Sequence, residues 1–172
     1  LEDDSTTGFI RPYEDGYSFM ALLPKEGISI EDYISHLSAE KLIGLVENAS
    51  TDYEVDAAIP KFKSEYSIEL KDTLQNMGMT DAFDEEQADF RGIGTSDNGN
   101  IYINMVLHKT YIEVDEQGTK AGASTVVGMA ETMSLYEPEI KTVHLDRPFV
   151  YAIIDTETQM PIFLGVTESV EE

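Results

Sequence analysis

The sequence predicts an α+β fold built mainly of antiparallel β-sheets with short helices. Segments such as Tyr53–Ala57 and Phe62–Ile68 alternate apolar and polar residues with the two-residue period of a strand. Two short helical segments each follow a serine at the capping position. Near the C-terminus, two apolar runs of strand length, Phe149–Ile154 and Pro161–Val166, flank a polar turn. The 172 residues fit one domain with one core.

The first elements along the chain are two strands and two helices. Phe9–Tyr13 and Tyr17–Leu23 are predicted strands joined by a glycine-containing turn. Ser29 is placed to cap the first helix and Ser38 the second. The second helix has an apolar face that consists of Leu42, Ile43, Leu45 and Val46.

The middle of the chain contains a bend, a helix and a long strand. The two alternating segments meet at Pro60, which predicts two strands on either side of a bend. Leu70–Met77 is a predicted helix that ends at Gly78, and Thr80 is placed to cap a further short helix. Ile101–Val114 alternates over a length that predicts a long strand.

Composition and charge narrow the range of functions. The chain has 11 basic and 34 acidic residues, and its net charge of −23 repels nucleic acid and anionic membranes and favours basic partners. Neither nucleic acid nor a membrane is therefore predicted as a partner. Cysteine is absent, which excludes disulfides, thiolate metal sites and a cysteine nucleophile. No apolar run reaches the roughly 20 residues of a transmembrane helix, and no signal peptide is visible in the sequence.

The sequence contains no motif for catalysis or for a cofactor. His36, His108 and His144 belong to no metal-binding motif, and neither a nucleophile elbow nor a phosphate-binding loop occurs. The glycine-rich stretch 92–100 lacks the lysine and the helix of a phosphate loop. The acidic stretch 84–89 lacks the glycine and the spacing of an EF-hand. We therefore predict no cofactor, no metal and no enzymatic activity.

Residues 114–125, VDEQGTKAGAST, end a predicted strand and continue into a run of very small side chains. In an extended conformation Lys120 faces solvent, and an uncharged set of residues shares the other parity. Since small residues expose little apolar surface, the segment suits a loop and a strand equally. The pattern alone therefore leaves open an ordinary loop and a strand that joins a sheet. The uncharged set is Thr119, Ala121, Ala123, Thr125 and Val127.

Several stretches together resemble the serpins, a family of serine protease inhibitors. Glu113–Thr125 is similar to the hinge of the serpin reactive-centre loop, and residues 59–93 are similar to a main-sheet strand and the helices after it. The stretch HKTYIEVDE resembles the strand that leads into the loop, and DRPFVYAIIDTETQMPIFLG resembles the C-terminal hairpin. The resemblance covers essentially the whole chain. It implies the C-terminal part of a single serpin domain, with the hinge and loop at about 115–142.

This resemblance implies an inhibitor that a serine protease cleaves as a substrate. The cut loop inserts beside the Ile101–Val114 strand, and the protease is trapped as a covalent acyl-enzyme. Because the resemblance is to the C-terminal half only, we expect the N-terminal half to be supplied as a separate chain, or the exposed apolar surface to drive self-association. The implied hinge residues are Glu116, Gly118, Thr119, Ala121, Gly122, Ala123, Ser124 and Thr125.

The spacing usual in the family implies where the loop is cut. Counting from the hinge residue Glu116 gives the bond Thr132–Met133, with Met133–Ser134 as the second choice. These uncharged residues suit an elastase-like or subtilisin-like protease better than a trypsin-like one. His108 lies where the family has a histidine in the region of the sheet that opens, and a structural histidine and a pH-sensitive gate are both open.

Two alternatives to an inhibitor remain. A non-inhibitory serpin-fold binding or carrier protein is the first, although such members tend to have bulkier or charged hinge residues. A self-associating fragment is the second, because free strand edges pair between molecules. The resemblance also implies an extracellular or cell-surface location, and it implies a structural role for the motif Asp146–Phe149 at the start of the C-terminal hairpin.

Overall fold

The computed structural model describes residues 1–116, 118–119 and 139–170. The chain forms two compact units, one of Leu1–Phe62 with Glu113–Glu172 and one of Lys63–Ile112. The helices are α1 (Ile30–Ser35), α2 (Ala39–Glu47) and α3 (Lys71–Asn76). The strands are β1 (Thr6–Pro12), β2 (Tyr17–Pro24), β3 (Tyr53–Ala58), β4 (Phe62–Glu69), β5 (Leu107–Asp115), β6 (Gly118–Thr119), β7 (Glu139–His144), β8 (Phe149–Asp155) and β9 (Pro161–Thr167).

A four-stranded antiparallel sheet in the order β1-β2-β8-β9 forms the centre of the first unit. Met20 of β2 pairs with Ala152 of β8, which pairs in turn with Leu164 of β9. The predicted strands at both ends of the chain are confirmed, with boundaries that differ by a few residues. The core between one face of this sheet and the helices α1 and α2 contains Met20, Leu22, Ile30, Tyr33, Leu42, Leu45, Val150, Ala152 and Ile154.

Serine caps begin both helices of the first unit, as predicted. The Ser29 hydroxyl accepts the N–H of the residue three positions later at 3.1 Å, and the Ser38 hydroxyl does the same at 3.2 Å. The predicted apolar face of α2 is wrong at Ile43, which is 42% exposed because it lies on the outer side of the helix. In the second unit, α3 ends before Gly78, whose φ of 103° confirms the predicted stop signal. Within the described ranges, no helix combines the length and the apolar character needed to span a membrane.

Aromatic rings cover the other face of the sheet. Tyr151 lies between Phe19 and Phe163, with ring centroids 6.5 and 6.1 Å away and nearly parallel planes. Phe62 packs edge-on against Phe149 at 5.7 Å. Gly165 lies directly against the Tyr151 ring, where a Cβ atom would overlap the phenol. The absence of a side chain at residue 165 therefore allows this ring to lie flat on β9.

The two arms of the C-terminal hairpin differ in burial. Every residue of β8 from Phe149 to Ile154 is buried, as expected for a strand covered on both faces. The same expectation fails for β9 within the described residues, where Ile162 is 59% and Leu164 is 54% exposed. The difference arises because β9 is the last strand of the sheet and only β8 pairs with it.

A second sheet has the strand order β4-β5-β6. The predicted strand Ile101–Val114 is wrong over its first part, since β5 begins only at residue 107. The preceding residues bond elsewhere: the Ile103 N–H donates to the Ala82 carbonyl at 2.8 Å, and the Val106 carbonyl accepts the Leu70 N–H at 2.8 Å. Because these main-chain groups form hydrogen bonds outside a β-ladder, the alternating sequence before residue 107 does not form a strand.

The helix predicted after Thr80 is reduced to a single 3-10 turn, Asp81–Phe83. Thr80 provides no capping hydrogen bond to the main chain. Instead, the Asp84 carboxylate accepts the N–H groups of Glu86 and Gln87 at 2.8 and 3.0 Å. A side chain that bonds the backbone in this way stabilises a turn in place of a helix.

Candidate functional site

The beginning of the predicted hinge is a tight hairpin. Thr119 pairs with Val114 and Gly118 with Asp115 in an antiparallel ladder, so the chain reverses direction between Asp115 and Gly118. The short strand β6 lies on the side of β5 away from β4. Val114 is only 7% exposed, so position 119 is opposite a core residue. The hinge therefore begins to pair with the strand beside which insertion is predicted.

An ion pair ties the base of this hairpin to the bend between β3 and β4. The Lys61 ammonium forms a short contact with the Glu116 carboxylate. The hydrogen bond from Lys61 lowers the pKa of Glu116 below its ordinary value of 4.5. Because both side chains are largely exposed, the pair is expected to orient the hinge more than to stabilise the fold.

The far end of the loop enters strand β7, which runs parallel to β3. β7 begins at Glu139, three residues before the predicted end of the loop at about residue 142. The Lys141 ammonium contacts the Glu2 carboxylate and lies 4.1 Å from the centre of the Tyr53 ring. The hydrogen bond with Glu2 raises the pKa of Lys141. These contacts and the ladder with β3 hold the beginning of β7 in place.

The end of β7 is held by burial and by a second polar contact. Val143 and Leu145 are each 2% exposed, and the Leu145 N–H donates to the Ala58 carbonyl at 2.9 Å. The His144 ring lies 3.3 Å from the Asp56 carboxylate across the two strands. The segment between β6 and β7 is therefore attached at its two ends to different sheets.

His108 lies in β5, and its side chain is exposed. Within the part of the chain that the structure describes, this side chain makes no hydrogen bond, and its two roles, a structural histidine and a pH-sensitive gate, stay predictions. Arg147 donates two hydrogen bonds to the Pro24 carbonyl, at 3.0 and 3.3 Å, and a third to Asp146 at 2.9 Å. These contacts join the segment before β8 to the end of β2, as the structural interpretation of Asp146–Phe149 expects.

The remaining predicted hinge and reactive-bond residues lie outside the part of the chain that the structure describes. Sequence reasoning did not identify Lys61 and Lys141, because their partners are far away in the chain. It also did not identify β7, although the alternation of residues 139–144 is a signal for a strand. Among the described residues no group of three or more metal-ligating side chains is clustered. The predicted residues outside the described part of the chain are Ala121, Gly122, Ala123, Ser124, Thr125, Thr132, Met133 and Ser134.

Comparison with known proteins gives a consistent result over nearly the whole chain. The family model described as "Serpin (serine protease inhibitor)" matches residues 2–169. An uncharacterised serpin-like protein of Thermococcus kodakarensis is 37% identical over 166 residues, which are 96% of this chain and 38% of that protein. The native-state structure of the thermophilic serpin tengpin is 48% identical with a TM-score of 0.76, and the match covers 98% of this chain and 43% of that one.

The likeness extends to a protein that binds a small molecule. The structure of thyroxine-binding globulin with thyroxine is 28% identical with a TM-score of 0.72, and the match covers all of this chain and 44% of that one. The chain thus spans about two-fifths of the length of these relatives. The fold and the family description agree with the α+β prediction, for a part of the fold.

Proposed function

This chain belongs to the serpin family, and we propose that it is the C-terminal part of an inhibitor of serine proteases. In this proposal a protease cleaves the segment between β6 and β7, and the cut hinge inserts beside β5 while the protease stays bound as an acyl-enzyme. The observation that supports it is the antiparallel pairing of Gly118 and Thr119 with the end of β5. A strand that has begun to pair needs only to extend the same ladder.

The register of that pairing supports the proposal at the level of single residues. Continued along β5, it would place Ala121 opposite Ile112 and Ala123 opposite Thr110. Ile112 is 4% exposed, so small uncharged residues of the hinge would enter on the core side of the strand. Lys120 has the opposite parity and would remain on the solvent side. Each residue type in the hinge is therefore suited to the face that it would occupy.

The energy available to such an insertion is large compared with ordinary stability. About ten new ladder hydrogen bonds, each contributing roughly 0.5–1.5 kcal/mol, add up to the stability of a typical domain even before apolar burial is counted. The uncut form would then be kinetically trapped and would not be the most stable state of the chain. The cut provides the chain end that is free to move.

Within this proposal the reactive bond is Thr132–Met133, with Met133–Ser134 as the second choice. Small and uncharged residues at these positions favour an elastase-like or subtilisin-like protease. Action outside the cell or at its surface is part of the same proposal. Mass spectrometry of the two fragments after cleavage identifies the bond directly, and a cut elsewhere in 120–138 would correct the assignment.

We also propose that a further part of the serpin fold covers surfaces that are exposed in this chain. In the first unit Ile162 and Leu164 are exposed on β9, and in the second unit Met77 is 79% and Ile93 is 84% exposed. The relatives are more than twice as long as the matched region, which supports an N-terminal part of the same fold as the occupant. Self-association is the other outcome, and light scattering of the chain with and without the N-terminal part distinguishes the two.

The decisive experiment incubates the complete protein with an elastase-type and a subtilisin-type protease. A covalent adduct on a denaturing gel supports an inhibitor, and clean cleavage without an adduct refutes it. Clean cleavage would instead favour a carrier, the second candidate, which the likeness to thyroxine-binding globulin supports. The same samples can be tested for insertion with engineered cysteines, since the chain has no cysteine of its own.

A cysteine pair tests the register as well as the insertion. Opposite residues of an antiparallel ladder are separated by about 4.5–5.5 Å between Cα atoms, within the range for a disulfide. The double variant Thr110→Cys with Ala123→Cys should therefore cross-link under oxidation after cleavage. The matched control, Lys109→Cys with Ala123→Cys, places the two thiols on opposite faces and should not. Equal cross-linking of both pairs, or of neither, contradicts the proposed ladder.

A further inference from the structure

We propose that Asn98 is a site of spontaneous deamidation, a modification that the chain carries out on itself. Asn98 and Gly99 lie in an exposed turn of the unit Lys63–Ile112. Gly99 has a φ of 125°, and a Cβ atom added there would have nothing within 4 Å apart from its two chain neighbours. Because residue 99 has no side chain and open surroundings, its main-chain nitrogen is accessible to the side chain before it.

The reaction is an intramolecular substitution followed by hydrolysis. The Gly99 main-chain nitrogen gives its proton to solvent and attacks Cγ of Asn98, while the bond from Cγ to the side-chain nitrogen breaks and that nitrogen takes a proton from solvent and leaves as ammonia. Water then opens the resulting cyclic imide at either carbonyl. One opening gives aspartate at position 98, and the other gives isoaspartate, in which the main chain continues through the former side chain. Water is the only co-reactant, and no electron transfer is involved.

A nearby asparagine provides the contrast that makes the inference specific. The Asn100 amide donates to the main-chain carbonyls of Glu85 at 3.0 Å and Ala88 at 2.8 Å. Its successor is Ile101, whose branched side chain hinders approach to the main-chain nitrogen. In the described part of the chain, no hydrogen bond holds the Asn98 side chain. The Asn98 side chain can therefore approach the Gly99 nitrogen without breaking a side-chain hydrogen bond, whereas the Asn100 side chain must first break two.

Deamidation would change the charge and the course of the chain in this turn. It adds a carboxylate beside Asp97, on a protein whose net charge is already −23. Isoaspartate also lengthens the main chain, two residues before the Asn100 amide that fastens this connection to the preceding turns. The modified loop is expected to loosen locally and to produce a more acidic form of the protein.

Peptide mapping of the intact protein tests the proposal. The protein is incubated at neutral and at mildly alkaline pH, next to a synthetic peptide of residues 95–101, and fragmentation that separates isoaspartate from aspartate reads each position. Asn98 should convert in both samples, faster at alkaline pH. In the folded protein the ratio of the Asn98 rate to the Asn100 rate should exceed its value in the peptide roughly thirtyfold, the equivalent of about 2 kcal/mol for the two Asn100 hydrogen bonds that must break first.

Two controls make the result decisive. Asn98→Gln should abolish the acidic form, because the larger ring closes far more slowly, and it leaves Asn100 as the internal reference. In denaturant, the advantage of Asn98 over Asn100 should shrink to the ratio seen in the peptide. The proposal is overturned if Asn98 stays intact in the folded protein while the peptide converts, or if the two asparagines convert equally fast.

Discussion

Replacing Thr119 with arginine tests the insertion mechanism at the hinge position that pairs with a buried residue of β5. Position 119 is opposite Val114, which is 7% exposed, so the new side chain would enter beside the core. Full burial of an unpaired ion costs several kcal/mol, and the long side chain can recover part of this by reaching towards solvent. A remaining cost of about 3 kcal/mol slows insertion by a factor on the order of 10².

Insertion competes with hydrolysis of the acyl-enzyme, so this delay should convert the complete protein from an inhibitor into a substrate. The assay is a titration of protease against inhibitor, read on a denaturing gel and as the number of inhibitor molecules consumed per protease trapped. Thr119→Val, which keeps the branched shape without a charge, should inhibit normally, as should Lys120→Arg on the solvent parity. An undiminished covalent complex with Thr119→Arg would refute the mechanism.

Three further predictions concern the ion pair at the hinge and the packing of the first unit. Lys61→Met should return the pKa of Glu116 towards 4.5 in an NMR titration, with no measurable change in the free energy of unfolding, since the pair is exposed. In the native protein the pKa of Glu116 is lowered, so the ion pair with Lys61 is fully present above pH 4.5 and is lost only as the pH falls through the lowered pKa. Hydrogen exchange in the hairpin should therefore accelerate below pH 4.5 and not above it. Gly165→Ala should lower the free energy of unfolding in urea by about 1–3 kcal/mol because the Tyr151 ring must move; Gly92→Ala, where space is open, should not, and equal losses would contradict the packing argument.

The parts of the fold that were predicted from sequence are those where one local signal decides the structure. The runs Tyr17–Leu23 and Phe149–Ile154 are so apolar that only central strands bury them, and both are central in the sheet. Ser29 and Ser38 each have a side chain that satisfies a free N–H at a helix start, and this chemistry needs no distant partner.

Two of the failures occur where contacts between residues far apart in the chain decide the structure. The alternation before residue 107 is a good strand pattern, yet Ile103 bonds to the turn at Ala82, which no local pattern reveals. The same reason hides the contact of Lys61 with Glu116, since an exposed lysine has many acidic neighbours in a chain of this composition. The hinge itself was found through its small residues and its likeness to a family, and the described pairing covers only its first two strand residues.

The central position of β8 has a consequence for what a cut molecule would look like. The polypeptide after the proposed bond contains β7, β8 and β9, and β8 is bonded to β2 on one side and β9 on the other. Its six buried residues from Phe149 to Ile154 would all have to enter water for the piece to leave. A nicked protein should therefore migrate as one particle until a denaturant separates the pieces. Hydrodynamic size alone would therefore not distinguish the nicked protein from the intact one. Cleavage has to be detected under denaturing conditions.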